Sequence, residues 1–485
     1  MEPPRPPAQQ GTWVVLSGVF LLLVFSLQLK PINDVDIFWQ VKLGQLMIAS
    51  GNLINQEVFT YTHAGEPTPT LGWLAQVIYA WLYELGGWRA VQMLHATLFA
   101  AAFGIAGLTA SRLLSRGRYP VPFSLLAGLI LGLLPGLSNA GVRPQSFALL
   151  GFAAILYLAR LGPFTVRGLA GIGLIAILWQ NTHPSLSLGV LAIGALAAGE
   201  WLTRWRRPHH PTPVFLTLAV GILLLAQLAT PMGWQIFDVS SANLSISRDL
   251  LRINEWLPPW DPSTRPVMSG FFLAGGITLV LLIARKRHLT LADWLFVLVM
   301  TGMSLYAARF ALFWGIALVP LWTQWLEALR PANRLTWSNV TLNPGVLWLT
   351  GLVGLAVVYV LPSFIQAKPR FHYDVAECLE SLAAAVPAGR VYNYREWGGP
   401  LILRGYPRWQ VTIDGRLYLY PVKDWLEYTR IAQGRVELDA ILARYSPDAF
   451  VLHPTFHRGL IGLLEASGQY QRLFSDPLCV AYASR

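Results

Sequence analysis

Long apolar segments separated by shorter polar ones dominate the first three quarters of the chain. A helix of roughly 17–25 apolar residues is long enough to cross a bilayer, and the sequence contains eleven candidates, several of them shorter. They lie at about 13–29, 88–111, 119–138, 146–160, 168–181, 186–203, 213–231, 267–284, 291–306, 311–327 and 345–363. The pattern therefore predicts a mainly α-helical, polytopic membrane domain over residues 1–363.

The tail, residues 364–485, has a different pattern. Its apolar runs shorten to strand length, and helical patterns alternate with them. Strands are predicted around 390–394, 409–413, 449–452 and 479–482, and helices around 373–386, 421–433, 436–445 and 457–468. This alternation predicts a small α/β domain. The two cysteines of the chain, Cys378 and Cys479, both lie here, and they fit either a disulfide or a buried reduced pair.

Composition supports the membrane assignment. Hydrophobic residues make up 54% of the chain and charged residues only 13%, whereas soluble domains typically carry about 25% charged residues. Residues 13–29 are interpreted as a retained first helix. Arg5 is the only basic residue before them, whereas a signal peptide begins with a positively charged region. Lys30-Pro31 follows them in place of the small residues of a signal-peptide cleavage site.

The distribution of Lys and Arg predicts the orientation in the membrane. The short loops assigned to the cytoplasm carry fourteen of these residues, and the longer loops on the opposite side carry eight. The N-terminus is therefore expected in the cytoplasm, and an odd number of spans places the tail domain outside it. The formal net charge of +11 reflects this topology. No nucleic-acid partner is needed to explain it.

Two carboxylates stand at the edge of the first apolar segment. Asp34 and Asp36 begin a long external loop, residues 30–87, directly after that segment. A charge close to hydrocarbon is costly unless it is paired or faces water, so intramembrane and interfacial acids commonly mark functional sites. The alternative is an acidic cap on the helix that begins near Ile37, because Asp is a favoured N-cap residue.

Ionisable and amide side chains also stand beside the apolar segments in the later external loops. Each of them alone fits lipid contact or helix capping. Together they fall on the same face of the membrane as Asp34 and Asp36. These residues are Arg143, Gln145, Asn181, His183, Glu255 and Arg309.

This mixture of side chains fits the removal of a sugar from a lipid phosphate. A carboxylate can take the proton of an acceptor hydroxyl as a general base. Arg143 and Arg309 can hold a leaving phosphate, because a guanidinium is a permanent cation with a bidentate fork. His183 is a candidate donor to the phosphate or a proton-transfer group.

Several motifs follow one another along nearly the whole chain. They are Asp34-x-Asp36-x-x-Trp39-x-x-x-x-Gly44, Phe59-Thr60-Tyr61-Thr62-x-x-Gly65, Trp73-Leu74-Ala75, Arg143-Pro144-Gln145, Trp179-x-Asn181-x-His183, Glu255-Trp256, Arg309, Tyr394-x-x-Trp397-Gly398-Gly399 and Ile413-Asp414-Gly415-Arg416. In combination they resemble a bacterial family of multi-pass membrane proteins similar to the GT-C superfamily of glycosyltransferases. The resemblance implies a GT-C-like fold in the bacterial inner membrane and a polyprenyl-phosphate-linked sugar as donor.

The resemblance also implies roles for single residues. Asp36 or Asp34 would be the catalytic base, with Asp36 favoured because it is closer to the helix that carries Trp39. Substrate binding would fall to Trp39, Arg143, Gln145, Asn181, His183, Glu255 and Arg309. The two acids are alternatively ligands of a Mg²⁺ or Mn²⁺ ion that bridges to the donor phosphate, since both metals accept carboxylate and phosphate oxygens.

Two departures from the family pattern leave other functions open. Gln40 stands where the family commonly has His, and Gly72 stands where it commonly has Glu. The absence of the family's His and Glu at these positions favours a non-catalytic assembly or export partner. A transporter of lipid-linked glycans is a further alternative, although it requires polar residues at midplane depth and the predicted spans hold few charges there. The expected partners are the lipid-linked sugar and membrane lipids.

Overall fold

The computed structural model describes residues 7–29, 32, 34–114, 122–136, 141–204, 212–285, 289–329 and 375–485. Up to residue 329 the regular elements of these ranges are helical. The helices are α1 Pro7–Gln28, α2 Asp36–Ser50, α3 Trp73–Leu114, α4 Pro122–Leu133, α5 Gln145–Leu161, α6 Val166–Thr182, α7 Ser187–Thr203, α8 Thr212–Ala226, α9 Gln235–Ser245, α10 Ser269–Arg285, α11 Leu291–Tyr306 and α12 Ala311–Ala328.

Most of these helices coincide with the apolar segments of the sequence. α2 and the first half of α3 lie within residues 30–87, the predicted first external loop, and a kink at Gly86 and Gly87 separates the two halves of α3. α9 lies in a loop for which the sequence pattern predicts no helix. The candidate span 345–363 lies outside the described residues.

The described helices differ in whether they are long enough to cross a membrane. Of the described helices, Trp73–Leu114 is long and apolar enough to span a bilayer by length and composition. Several others are apolar but have only 10–17 residues in the searched part of the chain. The predicted number of eleven spans is therefore not confirmed and stays a prediction.

α12 forms the centre of the helical part. Its residues from Ala311 to Thr323 are buried, and it packs against α3, α4, α5, α10 and α11. α4 and α12 meet at Gly132 and Gly315, where a Cβ on either residue would overlap the facing backbone or side chains. Small residues permit this close approach of two helix backbones.

The tail contains a five-stranded mixed sheet. Its strands are β1 Gly389–Asn393, β2 Trp409–Val411, β3 Ala449–Leu452, β4 Tyr470–Ser475 and β5 Val480–Ser484, in the order β2-β1-β3-β5-β4. β1, β2 and β3 are parallel, with Val391 opposite both Val411 and Ala449, while β5 pairs antiparallel with β3 and β4. The accompanying helices are α13 Ala376–Ala385, α14 Gly398–Gly405, α15 Val422–Ala432, α16 Leu438–Tyr445 and α17 Arg458–Ser467.

The four strands and four helices expected in the tail are present at nearly the expected positions. The edge strand β4 and the short helix α14 are additional to them. The start of α14, Gly398-Gly399, looks like a turn in the sequence because glycine is a poor helix former. Cys378 and Cys479 form a disulfide between α13 and the residue before β5, which decides between the two alternatives. The predicted domain boundary at 363/364 lies outside the described residues.

The first external loop and the tail pack as one unit. Phe59 O accepts from Val411 N at 2.9 Å, and Tyr61 N donates to Val411 O at 3.2 Å, so the loop adds a short parallel bridge to the edge strand β2. Trp39 and Leu43 of α2 share a hydrophobic core with buried tail residues such as Trp397. This packing brings the tail sheet against the beginning of α2.

Candidate functional site

The acidic pair lies where α2 begins. Asp34 is buried at 3% exposure, and its Oδ1 accepts the backbone N–H of Asp36 at 2.8 Å. Asp36 is the first residue of α2, and its Oδ1 accepts the indole N–H of Trp39 at 3.0 Å. The N-cap residue of α2 is Val35, which makes no side-chain cap hydrogen bond, so neither acid is the N-cap that the structural alternative predicts. Asp34 binds the first N–H of the helix from the position before the N-cap. Asp36 instead directs its carboxylate toward its own helix turn and the surrounding external segments.

Arg143 joins the acidic pair to a distant external loop. Its guanidinium forms ion pairs with Asp34 and with Glu255. Glu255 also contacts Arg309, with Nη1 of Arg309 and Oε1 of Glu255 3.4 Å apart. The Arg309 guanidinium lies over the ring of Trp256, 4.0 Å from its centroid, in a cation–π contact. An uninterrupted series of charged contacts thus runs from Asp34 to Arg309.

The remaining residues predicted to bind substrate surround this series. His183 Nδ1 lies 2.8 Å from Ser185 Oγ. Gln145 Nε2 donates to the backbone carbonyl of Arg309 at 3.4 Å. Asn181 accepts from Trp73 Nε1 at 2.7 Å and donates to the Ala229 carbonyl at 2.7 Å. Asn181 and Gln145 therefore also connect structural elements of the site.

The electrostatic surroundings of Asp36 favour its protonated form. Burial, followed by the charge of Asp34, raises the pKa of Asp36 to about 7, and Asp414 adds to the increase. The hydrogen bond from Trp39 and the charge of Arg143 act in the opposite direction. A carboxyl group with a pKa near neutral pH is well suited to general acid–base chemistry.

The pKa values of Glu255 and His183 are lowered, whereas that of Asp36 is raised. Although burial opposes ionisation of Glu255, Arg143 and Arg309 lower its pKa to about 2. Burial and the charge of Arg309 lower the pKa of His183 to about 3. Near neutral pH, Glu255 is therefore an anion shared by two guanidinium groups, and His183 is a neutral imidazole.

A second charged cluster lies next to the acidic pair and is fully buried. Arg416 forms ion pairs with Glu57 of the first external loop and with Asp414 of the tail, where Nη2 lies 2.5 Å from Asp414 Oδ2. Glu57 Oε1 also accepts the backbone N–H groups of Phe59 and Thr60. Sequence reasoning missed Glu57, because an acid in a polar, turn-rich stretch has the pattern of a solvated residue.

The acidic pair is already engaged by protein groups. The Asp34 oxygens contact the Asp36 N–H and Arg143. Within the described ranges no group of three or more His, Cys, Asp or Glu side chains is placed to hold a metal ion. The Mg²⁺ or Mn²⁺ alternative stays a prediction, and no step below is assigned to a metal.

The structure accounts for one of the two departures from the family pattern. Gly72 has a left-handed φ of +64°, and a Cβ there would lie 2.9 Å from the Thr182 carbonyl oxygen. A larger residue is disfavoured for both reasons. Gln40 is 9% exposed, and its Oε1 has no hydrogen-bond partner among the described residues.

The fold is similar to that of one class of membrane enzymes. No family model matches the sequence, and no curated protein matches it either. Solved structures do match over nearly the whole chain, and they are GT-C glycosyltransferases. The chain therefore has a GT-C-like fold.

Three solved proteins illustrate this likeness. ArnT from Cupriavidus metallidurans in the apo state has a TM-score of 0.57 and 15% identity, with 98% of each chain covered. Bound to undecaprenyl phosphate, the same enzyme matches with a TM-score of 0.51. The oligosaccharyltransferase AglB from Archaeoglobus fulgidus, in complex with an inhibitory peptide and a dolichol-phosphate, has a TM-score of 0.56 and 12% identity, covering 99% of this chain and 75% of that one.

The third protein is much longer than this chain. The mycobacterial arabinofuranosyltransferase AftD has a TM-score of 0.52 and 17% identity, and the match covers 100% of this chain but only 42% of AftD. At these identities the likeness shows the fold alone.

Proposed function

We propose that the protein is a membrane glycosyltransferase of the GT-C type that moves a sugar from a polyprenyl-phosphate donor to a hydroxyl acceptor outside the cytoplasm. The observation that carries the proposal is the series of contacts from Asp34 through Arg143 and Glu255 to Arg309, with Asp36 beside it. These residues belong to separate loops that the charge distribution assigns to the same side of the membrane.

Two neighbours in fold support the choice of donor, because the solved structures of ArnT and AglB contain undecaprenyl phosphate and dolichol-phosphate. The hydrocarbon chain of a polyprenyl donor lies in the bilayer, so the enzyme must act at the membrane. The proposal therefore includes a multi-pass location in the bacterial inner membrane, the predicted eleven spans, and a tail domain on the extracytoplasmic side.

In the proposed reaction, Asp36 is the general base. Its Oδ1 is oriented by the indole N–H of Trp39, and its other oxygen receives the proton of the acceptor hydroxyl. The acceptor oxygen forms a bond to the anomeric carbon while the bond from that carbon to the phosphate oxygen breaks. The electron pair of the broken bond leaves on the lipid phosphate.

The cations stabilise the leaving phosphate. Arg309 is held from one side by Trp256 and lies 3.4 Å from Glu255, so its other N–H groups can donate to a phosphate oxygen. Arg143 is held more firmly between Asp34 and Glu255, and it supplies positive charge near the same point. His183, as a neutral imidazole, is a hydrogen-bond donor to the phosphate. Asp34 positions Asp36 and Arg143.

A complementation experiment tests the proposal. A deletion strain is expected to lose one sugar from its surface glycans, measured by mass spectrometry, and the wild-type gene restores it. Asp36→Asn should restore nothing although it reaches the membrane at the wild-type level, because an amide cannot accept the proton. The matched control Asp238→Asn, at an exposed carboxyl on the external helix α9, should restore the sugar fully.

The same experiment separates the alternatives. Full restoration by Asp36→Asn would indicate a non-catalytic assembly or export partner and would overturn the proposal. A deletion strain with unchanged glycan composition but a lower amount of surface polymer would indicate transport of lipid-linked glycans.

A further inference from the structure

The turn Asp414-Gly415-Arg416 of the tail is a conspicuous motif to which the proposed reaction gives no role. It lies between β2 and a short helical turn at Leu417–Leu419. Asp414 Oδ1 accepts the backbone N–H of Arg416 at 2.8 Å, and Asp414 N donates to Tyr420 Oη at 2.9 Å. The turn is therefore rigidly held from within the tail.

The same turn binds the first external loop. Arg416 pairs with Glu57, which in turn holds the backbone of Phe59 and Thr60. The Arg416 guanidinium lies 5.7 Å from the ring centroid of Trp39. Trp39 is the residue whose indole N–H orients Asp36, so the buried cluster and the acidic pair share a neighbour.

Gly415 brings the turn into direct contact with the acid. A Cβ on Gly415 would overlap Asp36 Oδ1, the oxygen that accepts the Trp39 N–H, and would also lie 3.6 Å from the Val35 side chain. The φ of Gly415 is not in the left-handed region. The backbone at this position would therefore accept alanine, and only the space occupied by the Asp36 carboxylate excludes it.

We propose that the Asp414-Gly415-Arg416 turn is a positioning element of the catalytic site: Gly415 closes one side of the Asp36 carboxylate, and Arg416 fixes the external loop against which that carboxylate is oriented. The site is thus completed by the tail domain. This inference rests on the proposed function of Asp36.

The charges around Asp36 agree with this role. The groups that face it are Asp34 and Trp39 from the start of α2, Arg143 from the loop before α5, and Asp414 and Tyr418 from the tail. Burial by this surrounding protein is the largest cause of the raised pKa of Asp36, and the Asp414 carboxylate contributes in the same direction. Moving the turn away would hydrate Asp36 and lower its pKa.

Gly415→Ala in full-length protein, reconstituted in proteoliposomes with a polyprenyl-phosphate sugar, tests the proposal. The side chain of Asp36 can rotate away from the added methyl group, so the protein should fold while the base is displaced. We expect kcat to fall about 100-fold, as is typical for a catalytic group displaced by an ångström or so. The KM for the donor should stay unchanged, and the acidic limb of the pH–rate profile should move to lower pH.

The matched control is Gly462→Ala in α17 of the same domain, where a Cβ would meet no atom within 4 Å, and it should behave as wild type. If Gly415→Ala does not fold, Asp414→Asn adds no volume but weakens the buried Arg416 cluster, so it is assayed below its own unfolding temperature. It should still shift the acidic limb to lower pH, because the Asp414 charge helps to raise the pKa of Asp36. A Gly415→Ala enzyme with the kcat and pH profile of Gly462→Ala would overturn the positioning role. A wild-type protein without transferase activity would instead overturn the proposed function.

Discussion

Two clusters of similar composition lie on either side of Trp39 and Asp36, and they differ mainly in access to solvent. In the first, Arg143 is shared by Asp34 and Glu255, and its side chain is 39% exposed. In the second, Arg416 is shared by Asp414 and Glu57, and its side chain is 2% exposed. An arginine shared by two carboxylates thus occurs twice, once in a partly exposed cluster (the open cluster) and once in a buried one (the closed cluster).

The difference in exposure separates two uses of the same chemistry. In the closed cluster, Arg416 meets carboxylates through Nη1, Nη2 and Nε, and this connection fixes the external loop on the tail. In the open cluster, Glu255 is divided between Arg143 and Arg309, and its contact with Arg309 is long. A ligand phosphate can therefore enter the open cluster without breaking the fold.

The largest predicted effect separates the clusters by stability. Glu57→Gln leaves the buried Arg416 without one of its two anionic partners, and breaking a buried ion pair typically costs about 3–5 kcal/mol. Glu255→Gln should cost less, because the side chains of Glu255 and Arg143 are 26% and 39% exposed and a partly solvated ion pair contributes less than a buried one. Thermal unfolding of the purified protein in detergent measures both, with Glu66→Gln, at an exposed acid of the same loop, as the control. Equal destabilisation by the two substitutions would remove the distinction.

Transfer activity, unlike stability, should depend more on the open cluster than on the closed one. In the proposed reaction Arg309 holds the leaving phosphate. We therefore expect Arg309→Ala to lower transfer about 10²- to 10³-fold, as for other groups that stabilise charge in the transition state. Thermal stability should change little. Arg265→Ala, at an exposed cation of the loop that carries Glu255, is the control in the transfer assay. Wild-type activity of Arg309→Ala would exclude the cation from phosphate binding.

The pH dependence of transfer tests the role of Asp36, which neighbours both clusters, as the general base. Because a general base must be deprotonated and the pKa of Asp36 is raised to about 7, kcat/KM should rise as pH increases through about 7 and level off above it. A rate profile measured in proteoliposomes from pH 5 to pH 9 shows this limb directly. A profile that is flat down to pH 5 would contradict the assignment of Asp36.

The smallest effect is expected at His183. Its pKa is lowered to about 3, so the imidazole is neutral throughout the pH range above. His183→Gln should therefore lower transfer only about fivefold, the equivalent of one hydrogen bond of about 1 kcal/mol, and leave the acidic limb in place. Loss of the limb in this variant would make His183 the titrating group.

The hydrophobic pattern predicts the helical part and most of the tail sheet. Long apolar runs correspond to helices, and short apolar runs between helical patterns correspond to strands. The distribution of Arg and Lys further predicts that Asp34, Arg143, Glu255 and Arg309 lie on one side of the membrane. The structure brings these four side chains into contact, and the side on which they lie stays a prediction.

The junction between loop and tail could not be predicted in the same way. Glu57 and Arg416 lie in different regions of the sequence, and each has the pattern of an exposed turn residue. The contact of Gly415 with Asp36 depends on the pairing of residues 59–61 with β2, which is long-range. Strand β4 was missed because it is a partly exposed edge strand with irregular burial.

A structure of the full-length protein with a bound polyprenyl-phosphate sugar tests the central claim most directly. We predict that a phosphate oxygen lies within about 3 Å of an Arg309 nitrogen, and that the anomeric carbon faces the Asp36 carboxylate beside Gly415. A phosphate bound away from Arg143 and Arg309, or a sugar with Asp36 on the far side of the phosphate, would contradict the account.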